Sequence, residues 1–345
     1  MDLFERIKST SKVYIIAELS ANHNGDLQVA LDTIKAAKRA GADAIKLQTY
    51  TPDTMTLDVK NDYFMIKQGT AWDGQYLHDL YKTAYTPWEW HQQLFDLAKT
   101  EGLDCFSTPF DKTSVDFLEK FNPPAYKIAS FEITDIPLIK YVAQKDRPII
   151  ISTGIADWND LDVAVKTCKE VGNDNLILLK CTSAYPAQPE DANLKTIEAI
   201  SERYKVMSGL SDHTLGIEGP VVATCLGAKV IEKHFILNKE IGGPDAHFSL
   251  DETEFKQMVD AVRKAEKMIG NVELEMTEKK KKSREFSRSI WVSEDIQEGE
   301  MISEKNIRIV RPAFGLAPKF YDEVIGRTVN KQLLKGTPLS LDDLN

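Results

Sequence analysis

The chain is poor in the features that mark secreted, membrane or nucleic-acid-binding proteins. Among its 345 residues are only 4 cysteines, Cys105, Cys168, Cys181 and Cys225, without the spacing of a metal knuckle or a disulfide framework. They read as free thiols of a reducing cytosol. Cys181 alone stands at the end of an apolar run, and buried filler is favoured for it over catalysis. No stretch approaches the apolar length of a membrane span, and the first residues, Met-Asp-Leu-Phe-Glu-Arg-Ile-Lys, lack a signal-peptide core. We therefore expect a cytoplasmic protein with no membrane partner. Positive charge is also in deficit: 43 Lys and Arg against 53 Asp and Glu give a net charge of −10. That argues against a nucleic-acid partner, which needs a basic face. The one basic cluster, Lys279 to Lys282, is flanked by Glu273, Glu275, Glu278 and Glu285, and reads as a solvated linker.

What the chain does have is a repeating alternation. Short β-branched runs occur at Val13–Ala17, Ala44–Gln48, Asp104–Ser107, Ala125–Ile128, Pro148–Ser152, Leu176–Cys181, Lys205–Leu210 and Val230–His234. Between them lie segments of helical period such as Leu27–Ala40, Pro87–Glu101, Thr113–Phe121, Leu161–Glu170 and Gly219–Leu226, and Phe255–Ile269 follows the last run. Eight strand-then-helix units predict a (β/α)8 TIM barrel. A doubly wound open sheet is the competing architecture. It calls for a glycine fingerprint after the first strand, and Asn22-His23-Asn24-Gly25 is not one. The connection from Thr49 to Thr86, with Trp72, Asp73, Tyr76, Tyr81 and Tyr85, is the longest; it reads as a lid over the barrel mouth or as a locally packed insert.

The predicted domains are a barrel over 1–275, a charged linker over 276–286 and a small module over 287–345. The module carries a faint repeat: Ile296-x-x-Gly299-x-x-Ile302-Ser303-x-x-x-Ile307 is echoed by Leu333-x-x-Gly336-x-x-Leu339-Ser340-x-x-x-Leu344. Each copy would place a glycine turn before an apolar anchor.

In a parallel barrel, chemistry sits at the carboxyl ends of the strands. Those ends supply Glu18; Lys46 and Gln48; Ser107 and Thr108; Lys127, Ser130 and Glu132; Ser152, Thr153 and Gly154; Cys181, Thr182 and Ser183; Ser211, Asp212 and His213; then Glu232 and His234. Lysines, hydroxyls and amides converging on one cavity suit a phosphorylated anion, although single hydroxyls there are often helix caps. Lys46 and Gln48 should share one face of their strand, with Ile45 and Leu47 on the other. His213 and His234 close neighbouring strands, so both can reach one divalent ion; the competing reading is a hydrogen-bonded core pair. Two imidazoles would leave open positions on the ion, which suits Lewis-acid activation of a carbonyl. His78 and His91 read as surface or packing residues, His23 as an orienting group, and His247 as lining for the mouth.

Ile-Ala-Glu-Leu-Ser-Ala-Asn-His-Asn-Gly (16–25), Lys-Ile-Ala-Ser-Phe-Glu (127–132), Ser-Thr-Gly (152–154), Gly-Leu-Ser-Asp-His (209–213) and Ile-Glu-Lys-His-Phe (231–235) resemble the sialic acid synthase family. Arg311-Pro312-Ala313-Phe314-Gly315-Leu316 and Ile325-Gly326 resemble that family's antifreeze-like SAF domain, a β-clip. Gln-Thr-Tyr-Thr-Pro-Asp (48–53) and the Trp72-Asp73 region are similar to the branch that uses 2,4-diacetamido-2,4,6-trideoxy-altropyranose. The resemblance implies condensation of phosphoenolpyruvate with the open-chain aldehyde of an acetamido-deoxy sugar. It assigns Lys46, Thr108, Lys127, Ser130, Ser152 and Ser211 to phosphoenolpyruvate, and His213 and His234 to Mn2+, with Mg2+ or Co2+ as alternatives. Glu18, Gln48, Tyr185 and Asp245 would face the sugar. Arg311 would reach the site of a second copy in a domain-swapped homodimer. Ser183 departs from the asparagine of the neuraminate branch, and Lys180 carries no family role.

The catalytic set expected from this is Glu18, Lys127, Glu132, His213 and His234, with Glu18 or Glu132 as the general base for water. A 6-deoxy acceptor would want an apolar lining, for which Phe131 and Phe248 are candidates. A neuraminate- or legionaminate-type acceptor is the alternative within the family. Outside it stand a Schiff-base aldolase with Lys127 as nucleophile and a non-catalytic sugar-binding protein.

Overall fold

The structure, a computed structural model, describes residues 2–67, 69 and 72–345. The eight apolar runs become strands β1 (Tyr14–Glu18), β2 (Ala44–Thr49), β3 (Asp104–Pro109), β4 (Tyr126–Ile128), β5 (Ile149–Ser152), β6 (Leu176–Cys181), β7 (Met207–Asp212) and β8 (Val230–His234). They pair in parallel and in sequence order, and β8 returns to β1 to close the predicted barrel. Their near-continuous burial explains why they read as unbroken apolar runs rather than alternating ones. Strands β1, β2, β3 and β7 end a residue or two beyond their apolar run, because polar strand-end residues such as Glu18 and Asp212 keep the ladder.

The first barrel helix, Leu27–Ala40, starts where Asp26 accepts from the Gln28 and Val29 amides and stops at Gly41, whose φ of 92° only glycine adopts readily. Helices Ile136–Ala143 and Thr196–Tyr204 complete the alternation after β4 and β6. The last, Glu252–Ile269, opens on an Asp251–Glu254 capping box and buries Phe255, Met258, Val259, Val262 and Ala265, one stripe at helical spacing.

Inside the barrel the side chains are layered. The lower layer is apolar: Ile16, Ala44, Phe106, Ile150, Ile177 and Val230 pack together, plugged from below by Leu3 and Ile7 of helix Leu3–Lys8. The same strands carry polar groups one layer up, so the apolar plug supports the site from beneath. Outward-facing Ile15, Ile45 and Leu47 pack against the surrounding helices. The 49–86 connection packs locally through Tyr50 on Tyr81 (ring centroids 5.7 Å apart). It also reaches the mouth, where the Trp72 and Tyr185 rings lie 6.0 Å apart.

Contacts divide the chain into compact units over Met1–Gly270 and Asn271–Asn345. In the second unit, Glu278–Arg284, within the expected charged linker, is helical. Strands Ser289–Val292 and Ile307–Val310 pair antiparallel over a core that includes Ile296, Ile302, Ile307, Leu333, Leu339 and Leu344. All three apolar anchors of each repeat copy are therefore buried, and Ile296 bridges Leu333 directly. Gly299 and Gly336 turn with φ of 78° and 88°. No helix among the described residues is long and apolar enough to cross a membrane.

Candidate active site

Strand register assembles the upper layer. Glu18 of β1 stands beside Lys46 of β2 and beside His234 of β8. The Lys46 ammonium lies 2.6 Å from Glu18 Oε2 and 3.6 Å from Glu232 Oε1, and donates to Thr108 Oγ1 at 3.2 Å. Lys127 donates to Ser152 Oγ at 2.7 Å and to the Ile128 carbonyl at 3.1 Å, and lies 3.7 Å from Glu232 Oε1. Ser211 donates to the same Glu232 oxygen at 3.2 Å. Seven strand ends thus form one buried network of two ammonium groups, two carboxylates and three hydroxyls. Each charge would be costly alone and is tolerable only in company.

The environment splits the titrations. Burial pushes the Glu18 carboxyl up to about 7, with Lys46 opposing and Glu232 reinforcing the rise. Burial likewise raises Glu132 to about 7 against the pull of Lys127. For Glu232, burial is outweighed by Lys127 and Lys46, which hold it below the ordinary carboxylate value. Burial lowers Lys127, whereas Lys46 rises because Glu18 and Glu232 overcome its burial.

The hydroxyl wall is held by close backbone approach. Ser130 Oγ accepts from the Gly154 amide at 3.0 Å. A Cβ on residue 154 would lie 2.1 Å from Ser183 Oγ and 2.7 Å from Ser130 Oγ, so this turn requires glycine. On the other side, the Gln48 amide donates to Glu18 Oε1 (3.0 Å) and Ser20 Oγ (2.9 Å), and Ser20 donates onward to Asp245.

The histidine rings lie 5.3 Å apart between centroids. His213 Nδ1 sits 2.9 Å from the Thr182 carbonyl oxygen, which fixes that nitrogen as the protonated one and leaves Nε2 as the lone-pair donor. His234 Nδ1 is buried without a hydrogen-bond partner, and Asp245 Oδ2 is 3.8 Å away. Tyr185 and Phe248 cover the pair, with centroids 4.4 Å from His213 and 4.8 Å from His234 respectively. Of the two phenylalanines considered for an apolar lining, Phe248 is buried beside the histidines and Phe131 is exposed. Among the described residues, no cluster of three or more His, Cys, Asp or Glu is arranged to close a metal shell. Glu132 Oε2, Ser183 Oγ and Glu232 Oε2, at the same strand ends, are also buried without a hydrogen-bond partner. Buried polar atoms are almost always satisfied, so several unsatisfied ones in one place mark where a polar ligand binds.

Arg311, the remaining candidate, lies exposed in the second unit. His23 hydrogen-bonds Thr86 and the Gly25 amide, orienting its loop, and buried His91 contacts Thr49. His78 lies 3.0 Å from Asp53 within the insert, and His247 lies 3.4 Å from the Tyr185 carbonyl oxygen. Glu232, absent from the expected site set, proves to be the hub between both lysines. Its signal was the two-residue spacing from His234, which puts both on the inner face. Ser20 went unremarked. A cavity of about 490 Å³ at the opposite end of the barrel, lined by Arg6, Lys12, Tyr14 and Asp104 among others, contains none of these residues.

The chain is similar to known proteins over nearly its whole length. The NeuB family model matches residues 33–274, and the SAF domain model matches 287–345. The chain is 52% identical to a pseudaminic acid synthase of Campylobacter jejuni over 96% of both chains. It is 50% identical to that of Helicobacter pylori over 96% of this chain and 97% of the relative. The crystal structure of an N-acetylneuraminic acid synthetase from Leptospira borgpetersenii superposes with a TM-score of 0.70 at 31% identity, covering 79% of this chain and 90% of that one. The chain belongs to the NeuB family and carries a SAF domain over residues 287–345.

Proposed function

We propose that the protein is a pseudaminic acid synthase, condensing phosphoenolpyruvate with 2,4-diacetamido-2,4,6-trideoxy-altropyranose to give pseudaminic acid and phosphate. The observation that carries this is the buried Lys46–Glu232–Lys127 network beside an open histidine pair, in a chain half identical to synthases of that name. Lys46 and Lys127, with the hydroxyls of Thr108, Ser130, Ser152 and Ser211, bind the phosphate and carboxylate of phosphoenolpyruvate. Their two charges offset the repulsion that Glu18 and Glu232 would exert on that anion.

His213 and His234 would hold a divalent ion, Mn2+ by preference and Mg2+ or Co2+ as alternatives. The free Nε2 of His213 and the unsatisfied His234 Nδ1 suit that role. Such an ion supplies Lewis-acid polarisation of the acceptor's carbonyl. Glu18, Gln48, Tyr185 and Asp245 orient the open-chain sugar so that C3 of phosphoenolpyruvate meets the aldehyde carbon. Bond formation leaves cationic character at C2. Water adds there as Glu132 takes its proton, and the tetrahedral intermediate expels phosphate by C–O cleavage. Glu132 suits the base role better than Glu18, because Glu18 is committed to Lys46 and Gln48 while Glu132 Oε2 is unpaired.

Arg311 completes the site from a second copy in a domain-swapped homodimer. The reading places the protein in the cytoplasm, where phosphoenolpyruvate is made. A Schiff-base reading has one point in its favour, since burial lowers Lys127. Against it, that amine already donates to Ser152 and the Ile128 carbonyl. Phosphate release against a panel of acetamido sugars with Mn2+ present tests the assignment. We expect turnover with the diacetamido sugar and little with N-acetylmannosamine; comparable turnover with both would contradict it.

A further inference from the structure

Beyond the histidine pair, the 49–86 insert and the loop after β8 line a second, solvent-open cavity of about 320 Å³. Its walls include Trp72, Gln75, Leu80 and Thr83 from the insert, and Pro244 and His247 from the loop. It lies one aromatic ring away from the chemistry. The Tyr185 ring is 4.4 Å from His213 on one side and 6.0 Å from Trp72 on the other. Pro244 directly precedes Asp245, which lies 3.8 Å from His234. His247 Nε2 lies 3.4 Å from the Tyr185 carbonyl oxygen and its ring contacts that of Phe248 (centroids 5.0 Å apart), so the loop ties the cavity to the same aromatic cover.

We propose that this cavity is the specificity pocket for the acetamido group on C4 of the acceptor sugar. The inference rests on the acceptor assigned above. With the aldehyde carbon C1 at the histidine pair, the C2 acetamido group stays beside Tyr185 and Phe248. C4 lies three bonds further along the open chain, past the Tyr185 ring. An acetamido group has an apolar methyl, one N–H and one carbonyl. The cavity has matching parts: Trp72, Leu80 and Pro244 for the methyl, and Gln75, Thr83 and His247 as hydrogen-bonding groups. A hydroxyl at C4 would lack the methyl that fills the apolar wall and the N–H and carbonyl that meet the polar groups, so it would bind more weakly.

The test compares kcat/KM for two acceptors that differ only in carrying an acetamido group or a hydroxyl at C4. It uses the full-length wild type and the variants Gln75→Ala, His247→Ala and Trp72→Leu. The wild type should prefer the acetamido acceptor. Each variant should shrink that preference about tenfold while the KM for phosphoenolpyruvate holds. If the wild type prefers the acetamido acceptor and the variants lower both substrates equally, or neither, this pocket assignment is overturned and the proposed function stands. If the wild type turns over neither acceptor, the proposed function falls and the pocket assignment with it.

Discussion

Glu232 lies between two buried ammonium groups, 3.6 Å from Lys46 and 3.7 Å from Lys127, and it is held ionised by them. Glu18 and Glu132, by contrast, sit at about 7 because burial disfavours their charge. One buried layer thus holds carboxylates with well-separated titrations, the arrangement that lets neighbouring acids take different roles. The sign for activity follows from the role. A general base accepts a proton only when ionised, so kcat/KM should climb as pH rises through about 7. Glu132→Gln should remove that limb and cost about a hundredfold or more, whereas Glu18→Gln should keep it. A pH–rate profile of both variants checks this; the reverse pattern would transfer the base role to Glu18.

Among the elements, β7 is followed directly by His213 and β8 ends in His234, and the two strands are joined on their outer face by a buried ion pair. Lys233 lies 2.5 Å from Asp212 and also donates to the Thr214 carbonyl. Asp212 in turn accepts from the Thr214 amide and hydroxyl. The pair pins the turn that follows His213. Lys233→Met should cost about 3–5 kcal/mol by stranding a buried carboxylate, and adding Asp212→Asn, which removes the charge and keeps an acceptor for Thr214, should recover most of it. Denaturant unfolding of the single and double variants measures both; an undiminished cost in the double variant would show that the pair is not the cause. The barrel was legible because its strands are buried on both faces, which writes them as apolar runs, and because polar residues mark where each run ends. Cross-strand partners were not legible. That Glu232 serves both lysines depends on which strands face each other across the barrel, and Asp212↔Lys233 depends on register. Phe248 beat Phe131 for a similar reason: both follow barrel strands, but only the loop after β8 folds back over the histidines.

At the scale of the whole molecule, the reading asks one chain's Arg311 to serve another chain's barrel. Arg311→Ala and His213→Ala should each be nearly inactive alone. Mixed and allowed to exchange subunits, they should regain activity, since one barrel of the mixed dimer then has both its histidines and an intact arginine. No recovery despite demonstrated exchange would place Arg311 in its own chain's site or outside the chemistry. The repeat in the second unit was legible from its glycine spacing, whereas what a surface arginine such as Arg311 would serve is not written in any local pattern. The most direct test of the central claim is phosphate release from phosphoenolpyruvate, measured with each substrate omitted in turn and before and after chelation. Release is expected only when phosphoenolpyruvate, the diacetamido sugar and a divalent ion are all present. Release without the sugar, or at an unchanged rate after rigorous metal removal, would contradict it.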